Sequence, residues 1–290
     1  MSRFGIVIHH YRPEVRDIAR RIIEWCDEEG GTGLEVSLPP YDAKLIDRPD
    51  LAVDEDVFAA RLDVCVSIGG DGTMLRAAAL VAQHGVPLLG VNAGRLGYLA
   101  EVEPTHLTDA LGRWRRGELT EQPRMMLEVT SDALADDGRP FKGWALNEAV
   151  VARIDSGRTV DVLTFIQGRA FSNYVADAVI VATPTGSTAY SLSAGGPIVE
   201  PDFRALILTP VAAHMVFNRS MILAPTTEVT FTVQGHRGAV LALDGYSSLQ
   251  LDPGQSVYCR AANIDVKLLV TGERDFHTVL KEKFHLIDWR

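Results

Sequence analysis

The stretch that most constrains this chain runs from Val64-Cys65-Val66-Ser67-Ile68 through Gly69-Gly70-Asp71-Gly72-Thr73 into Met74-Leu75-Arg76-Ala77-Ala78-Ala79-Leu80. An apolar, β-prone run passes through glycines straight into a helical pattern. Glycine lets a backbone approach a phosphate closely, and a helix N-terminus offers free N–H groups and a partial positive charge. Many strand-to-helix turns of this kind bind nothing, so the glycines alone leave the function open. Asp71 is the unusual member. A carboxylate in a phosphate cradle repels the phosphate unless a metal ion, or a hydroxyl giving up its proton, lies between them.

The flanking sequence places this turn in an α/β domain. Phe4 to Ile8 reads as a strand, and Val15, Ile18, Ala19, Ile22 and Ile23 mark one helical face across Glu14 to Trp25. Gly30-Gly31-Thr32-Gly33 then reads as a helix end and turn, followed by a strand over Leu34 to Leu38. Residues 41–62 read as loop with a short helix. Leu88 to Asn92 is another buried strand, ending in the glycine-bearing Ala93-Gly94-Arg95-Leu96-Gly97-Tyr98-Leu99, and Thr105 to Trp114 is a helix. Alternating strands and helices argue for a parallel sheet with both glycine loops on its ligand-binding edge.

Near residue 120 the texture changes to short alternating runs: Met125–Val129, Trp144–Val151, Val160–Ile166, Ala178–Ala182, Met221–Leu223, Glu228–Val233, Val240–Leu243 and Val257–Arg260. That pattern is all-β. Val266 to Val270 has strand character, and Phe276 to Phe284 has helical spacing, which suggests a return to the first domain. The expected division is 1–120 with 268–290, and 121–267.

The bulk numbers narrow the partners. A 290-residue chain with 47% apolar residues and a net charge of −10 fits a protein with a real core, and the charge disfavours nucleic acid and anionic membrane as partners while leaving room for a local basic cleft for a small anionic ligand. No run is long and apolar enough for a membrane span. Cys26, Cys65 and Cys259 read as buried free thiols in a reducing cytosol. His9-His10, read as part of a strand, would point to opposite faces, which argues against a shared metal.

Thr183-Pro184-Thr185-Gly186-Ser187-Thr188-Ala189-Tyr190-Ser191-Leu192-Ser193-Ala194-Gly195-Gly196-Pro197 is dense in hydroxyls and small residues. Ser187 or Thr188 can cap a helical turn starting at Ala189. Small residues let a flat ring lie on the backbone, and the polar groups can meet a nucleobase edge; a plain cap and turn is the alternative. No G-x-S-x-G elbow or triad partner supports a nucleophilic serine. Asn147-Glu148 places an amide beside a carboxylate, which suits sugar hydroxyls. Asp177 and Asp244-Gly245 are acids at strand ends, each explicable as a turn residue.

The chain contains no Gly-Lys dipeptide, so it has no Walker P-loop. Phosphates at Gly69–Thr73 would then need a divalent metal, most simply Mg²⁺. Asp71 could orient an attacking hydroxyl and accept its proton, or help hold the metal assembly.

At these residues the chain resembles the NAD kinase family. The pieces are G-G-D-G-T-M-L-R-A-A at 69–78, G-V-N-A-G-R-L-G-Y-L-A-E at 90–101, A-L-N-E at 145–148 and T-P-T-G-S-T-A-Y-S-L-S-A-G-G-P-I-V at 183–199. Lipid kinases and phosphofructokinases look similar only at Gly69–Thr73; in the lipid kinases Asn-Glu follows almost at once, whereas here Met74-Leu75-Arg76 follows and Asn147-Glu148 comes far later. The resemblance implies phosphoryl transfer from ATP, with polyphosphate an open alternative, to the 2′-hydroxyl of the adenosine ribose of NAD. It implies a Rossmann-like α/β domain, a C-terminal β-sandwich-like domain and a last helix returning to the first. Asp71 would be the proton acceptor, and Gly69, Gly70, Gly72, Thr73 and Arg76 would lie at the phosphates. Asn147, Glu148, Arg158, Asp177, Thr185, Thr188, Ala189, Tyr190, Ser191, Leu192, Ser193 and Asp244 would hold NAD. No protein cage for a metal is implied; Mg²⁺ would come with the ATP phosphates. A cytoplasmic homodimer or homotetramer is expected.

Val175, Ala178 and Tyr246 depart from the family pattern. They keep open a dinucleotide-binding regulator with weak or no activity, and they leave the choice between NAD and NADH undecided. A lipid or sugar kinase sharing Gly69–Thr73 is the other alternative.

Overall fold

The computed structural model describes residues 2–29, 34–94, 97–135, 137–155 and 157–286. Two compact units emerge, Met1–Pro123 with Val266–Arg290, and Arg124–Asp265. The first contains β1 (Ser2–Ile8), α1 (Glu14–Glu29), β2 (Leu34–Ser37), α2 (Pro40–Leu45), α3 (Glu55–Phe58), β3 (Val64–Gly69), α4 (Asp71–Val81), β4 (Leu88–Asn92) and α5 (Leu107–Arg115). The strand order is β2-β1-β3-β4, with every neighbouring pair parallel. Leu268 and Leu269 add a further parallel strand beside β4.

All six residues of β3 are buried, as expected of a parallel strand covered on both faces. Phe4, Ile6, Ile8, Val64, Val66 and Ile68 pack against Val15, Ile18, Ala19, Ile22 and Ile23 of α1, the face that the helical spacing marked. Because the strands share one direction, the chain leaves β1, β3 and β4 along a common edge. There it enters residues 9–13, 70–71 and 93–94. Two expectations change in this unit. His9-His10 lies beyond β1, which stops at Ile8, so strand alternation does not govern the two rings. Residues 40–61 are mostly helical, with 3₁₀ turns at Pro49–Leu51 and Ala59–Arg61 beside α2 and α3. The turn expected at 30–33 lies outside the described residues.

The chain continues through β5 (Thr120–Leu134), β6 (Pro140–Ala145), β7 (Glu148–Arg153), β8 (Val160–Ile166), β9 (Arg169–Ala176), β10 (Ala178–Ala182), α6 (Tyr190–Ser193), β11 (Leu206–Val211), β12 (Met221–Leu223), β13 (Val229–Val233), β14 (Ala239–Leu243), β15 (Tyr246–Leu251), β16 (Ser256–Val270) and α7 (Phe276–Phe284). In the second unit one sheet runs β12-β11-β10-β7-β14-β15, with antiparallel neighbours. The other places β13 between β16 and β8, with β9 outside β8, again antiparallel. Val151, Val179, Leu206 and Leu241 of the first sheet share one core with Val162, Tyr174, Phe231 and Val257 of the second. This is the packing of a β-sandwich.

The run expected over Trp144–Val151 is interrupted at Leu146-Asn147 between β6 and β7. Val257–Arg260 and Val266–Val270 belong to one 15-residue strand, β16. α7 belongs to the first unit. There the Phe276 ring centroid lies 6.4 Å from that of Tyr98, and Lys283 Nζ sits 4.5 Å from the Tyr98 ring centroid.

Candidate active site

In the first unit the site grows from the β3–α4 junction. Gly70 is the N-cap of α4 and provides no side-chain acceptor; its carbonyl takes the Thr73 and Met74 N–H groups at 3.0 and 3.1 Å, which leaves those of Asp71 and Gly72 for a ligand at the helix start. A Cβ at Gly69 would collide with the Thr73 side chain, whereas those at Gly70 and Gly72 would meet open space. Gly69 is therefore a packing requirement, and Gly70 and Gly72 leave room for an approaching group. Thr73 is buried against Gly69.

Asp71 opens α4, and its carboxylate is fixed by the next loop. Oδ2 accepts the Tyr98 N–H at 2.9 Å and Oδ1 accepts the Leu99 N–H at 3.1 Å. A Cβ at Gly97 would fall on that carboxylate. The two glycine loops thus meet at Asp71, although Arg95 and Leu96 lie outside the described residues. Arg76 is held elsewhere. Its guanidinium grips the fully buried Asp42 at 2.9 and 2.6 Å and donates to the Ile8 carbonyl at 2.7 Å. Asp42 was invisible as a site residue in the sequence because its partner is 34 positions away.

In the second unit Asp244 organises the site. It has a left-handed backbone, φ 50°, and its carboxylate accepts three successive N–H groups: Leu146 at 2.8 Å, Asn147 at 2.7 Å and Glu148 at 3.1 Å. This interrupts the expected strand and presents Asn147 and Glu148 at the mouth of the β7–β10 ladder. Thr183 secures the other side, its hydroxyl donating to the Leu146 carbonyl at 2.5 Å and its N–H to the Asn147 carbonyl at 2.8 Å. Gly186 packs so closely on the Asn147 carbonyl that a Cβ has no room.

Glu148 is buried, accepts the Tyr190 N–H and has its pKa pushed up from 4.5 to about 8, by burial first and then by the Asp244 charge. Burial also raises Asp244, against the pull of its three N–H donors. Glu148 Oε2 and Thr185 Oγ1 are buried without a hydrogen-bond partner, so both are poised for one.

The hydroxyl-rich segment is largely self-satisfied. The Ser187 hydroxyl bonds the Val199 N–H and carbonyl, Thr188 donates to the Thr185 carbonyl, and Ser191 meets Thr209. The expected cap by Ser187 or Thr188 is corrected: Ala189 is the N-cap of α6, and no side chain caps it. These hydroxyls shape a 3₁₀ turn, Thr185–Thr188. Ala189 and Leu192 are half-buried, and Tyr190 and Ser193 are exposed.

Asp177 and Arg158 are placed apart from this group. Asp177 precedes Ala178, which pairs with Ala152, whereas Glu148 pairs with Ala182 at the other end of the ladder. Five strand residues separate the two ends, roughly 17 Å. Asp177 Oδ1 meets Arg153 Nε at 3.1 Å, and the Arg158 carbonyl accepts from Arg153 Nη1 at 3.3 Å. Val175 lies in β9, Ala178 is buried in β10 and Tyr246 is exposed at the start of β15.

Residues 4–119 match the ATP-NAD kinase N-terminal domain and residues 146–271 the ATP-NAD kinase C-terminal domain. An NAD kinase of Heliobacterium modesticaldum is 38% identical over 98% of this chain and 98% of its own length. NAD kinase 1 of Streptomyces avermitilis is 36% identical over 99% of this chain and 88% of its own. Among solved structures, the yeast NADH kinase complexed with NADH has a TM-score of 0.89 at 25% identity, covering 100% of this chain and 89% of that one. An Archaeoglobus fulgidus NAD kinase in complex with ATP shares the fold, with a TM-score of 0.72 at 24% identity, covering 96% and 98%. Matched in both halves and along nearly its full length, the chain belongs to the NAD kinase family.

Proposed function

We propose that this protein transfers the terminal phosphoryl group of ATP to the 2′-hydroxyl of the adenosine ribose of NAD, giving NADP. The observation that carries the reading is Asp71, a carboxylate fixed by two backbone N–H groups at the start of a helix whose glycines leave open space. In this reading Gly70, Gly72 and the first turn of α4 receive donor phosphates. Asp71 orients the hydroxyl and takes its proton late in the transfer, because an ordinary aspartate is a weak base for an alcohol and a loose transition state demands position first. Asn147, Glu148 and Thr185 meet the dinucleotide, supported by two buried polar atoms without partners, Glu148 Oε2 and Thr185 Oγ1. Asp244 acts by positioning the 146–148 backbone.

Among the described residues no group of three or more His, Cys, Asp or Glu could cage a metal ion. A divalent cation such as Mg²⁺ fits as a companion of the donor phosphates, with Asp71 as a nearby carboxylate whose oxygens each accept one N–H and keep a lone pair. When bound, such an ion neutralises phosphate charge. A dimer or tetramer is part of the proposal: Asp177 and Arg158 stand at the far end of the β7–β10 ladder, so contact with this dinucleotide would come from another copy. Three buried free cysteines support a cytoplasmic setting.

Incubation with NAD or NADH, ATP or polyphosphate, and Mg²⁺, followed by assay for NADP or NADPH, tests the function and identifies donor and acceptor. Binding of NAD without any product from either donor would favour the regulator reading.

A further inference from the structure

A phosphate cradle without a P-loop lysine needs positive charge from elsewhere. Arg76, the cation of the motif, is neutralised. Its guanidinium is paired with buried Asp42, which also accepts the Ile8 N–H at 2.6 Å and lies 3.3 Å from His10 Nε2.

Arg12 is differently placed. The β1 end runs beside the β3 end, with the His9 N–H donating to the Ile68 carbonyl at 2.9 Å and the His9 Cβ close against Gly69. Ala93, at the β4 end, donates its N–H to the Gly69 carbonyl at 2.9 Å. The carbonyl of that same Ala93 accepts Arg12 Nη1 at 2.9 Å, and a side chain at Gly94 would run into the Arg12 guanidinium. One residue therefore ties Arg12 to the first glycine of the cradle.

No carboxylate pairs with Arg12 among the described residues, whereas Arg3, Arg20, Arg48, Arg113, Arg116 and Arg274 each meet one. His9 is held below its ordinary pKa, by burial first and then by Arg12, His10 and Arg76.

We infer that Arg12 is the cation that binds the phosphate chain of the phosphoryl donor, held beside Gly69 by the Ala93-Gly94 backbone. The inference rests on the proposed kinase reading and adds a residue to its donor site. A guanidinium has five N–H donors, so the bond to Ala93 leaves others for a paired contact to phosphate oxygens.

The test compares wild type, Arg12→Gln and Arg12→Lys as full-length proteins. Donor KM is measured with ATP and with polyphosphate, NAD KM is measured alongside, and MgATP is titrated calorimetrically without NAD. Gln removes the charge on a shorter side chain that does not reach as far as Arg12 Nη1, and the NAD KM arm reports any disturbance of the loop that follows from losing the Ala93 contact. Arg12→Gln is expected to raise donor KM and MgATP Kd by about tenfold, the effect of losing one charge-assisted contact, with NAD KM within about twofold. Arg12→Lys, which keeps the charge, is expected to retain most of the donor affinity. Donor KM and MgATP Kd within about twofold of wild type in Arg12→Gln would overturn the inference. So would equal impairment of both variants toward both substrates, the mark of a purely structural role. A wild type that binds MgATP but makes no NADP would count against the kinase reading, and the calorimetric arm would still decide the role of Arg12.

Discussion

Asp71 and Tyr98 are joined through the backbone: the Tyr98 N–H donates to Asp71 Oδ2 at 2.9 Å, and the neighbouring Leu99 N–H reaches Oδ1 at 3.1 Å. The carboxylate at the head of α4 is thereby aimed by the loop after β4. Gly97 makes this approach possible, since a Cβ there would occupy the carboxylate position. Gly97→Ala is expected to displace Asp71 and lower kcat by about tenfold to a hundredfold, as misplacing a reacting group by about 1 Å does. Steady-state kinetics should show NAD KM changing by less than about threefold. Unchanged kcat would mean that the Gly97–Asp71 packing has no bearing on turnover.

Asp244 accepts three successive N–H groups of the 146–148 turn. Asp244→Ala leaves them unpaired and puts a Cβ-bearing residue without a polar side chain at φ 50°. The expected loss is about 3 kcal/mol of stability or more, from unpaired buried donors at about 1–3 kcal/mol each. Asp244→Asn retains an acceptor oxygen and tolerates the left-handed backbone, so its loss should be smaller. Urea unfolding of both variants, with NAD titration of whatever remains folded, checks the ordering.

The carboxyl of Glu148 gives a pH signature. Its folded pKa is about 8 against an ordinary 4.5. Between those values the folded protein holds a proton that the unfolded chain has released. Stability from this group is full below pH 4.5 and is lost as pH rises through 8. Glu148→Gln buries no charge at any pH. Its stability advantage over wild type should therefore open progressively from about pH 5 to about pH 8 in urea titrations. Parallel pH profiles for the two proteins would contradict the burial argument.

Much of the architecture was legible because its signals are local. The α1 face, the β3–α4 turn and the Phe276–Phe284 helix each follow from spacing within one segment. What sequence reasoning missed depends on distant partners. The interruption at Leu146-Asn147 is imposed by Asp244, 98 positions from Leu146. β9 escaped notice because Arg169, Ala170 and Phe171 are exposed at a sheet edge and lack the alternation that a buried face imposes. β16 looked like two strands because Ala261 to Asp265 mixes polar and apolar residues where the strand passes from one unit to the other. At the site, the glycines and Asp71 were legible as a motif, but the neutralisation of Arg76 by Asp42 was not. The hydroxyls of residues 183–191 were legible as a cluster, yet most of them bond their own chain.

The account turns on Asp71 as the group that orients the acceptor hydroxyl and receives its proton. Asp71→Asn keeps the size of the side chain and one acceptor oxygen, and it removes the charge and the basicity. The decisive measurement is NADP formation from NAD and ATP by this variant, with NAD affinity measured by calorimetry on the same preparation. Turnover is expected to fall by about a thousandfold or more, with NAD Kd within about threefold of wild type. Turnover within about tenfold of wild type, in a variant that still binds NAD, would contradict the role assigned to Asp71.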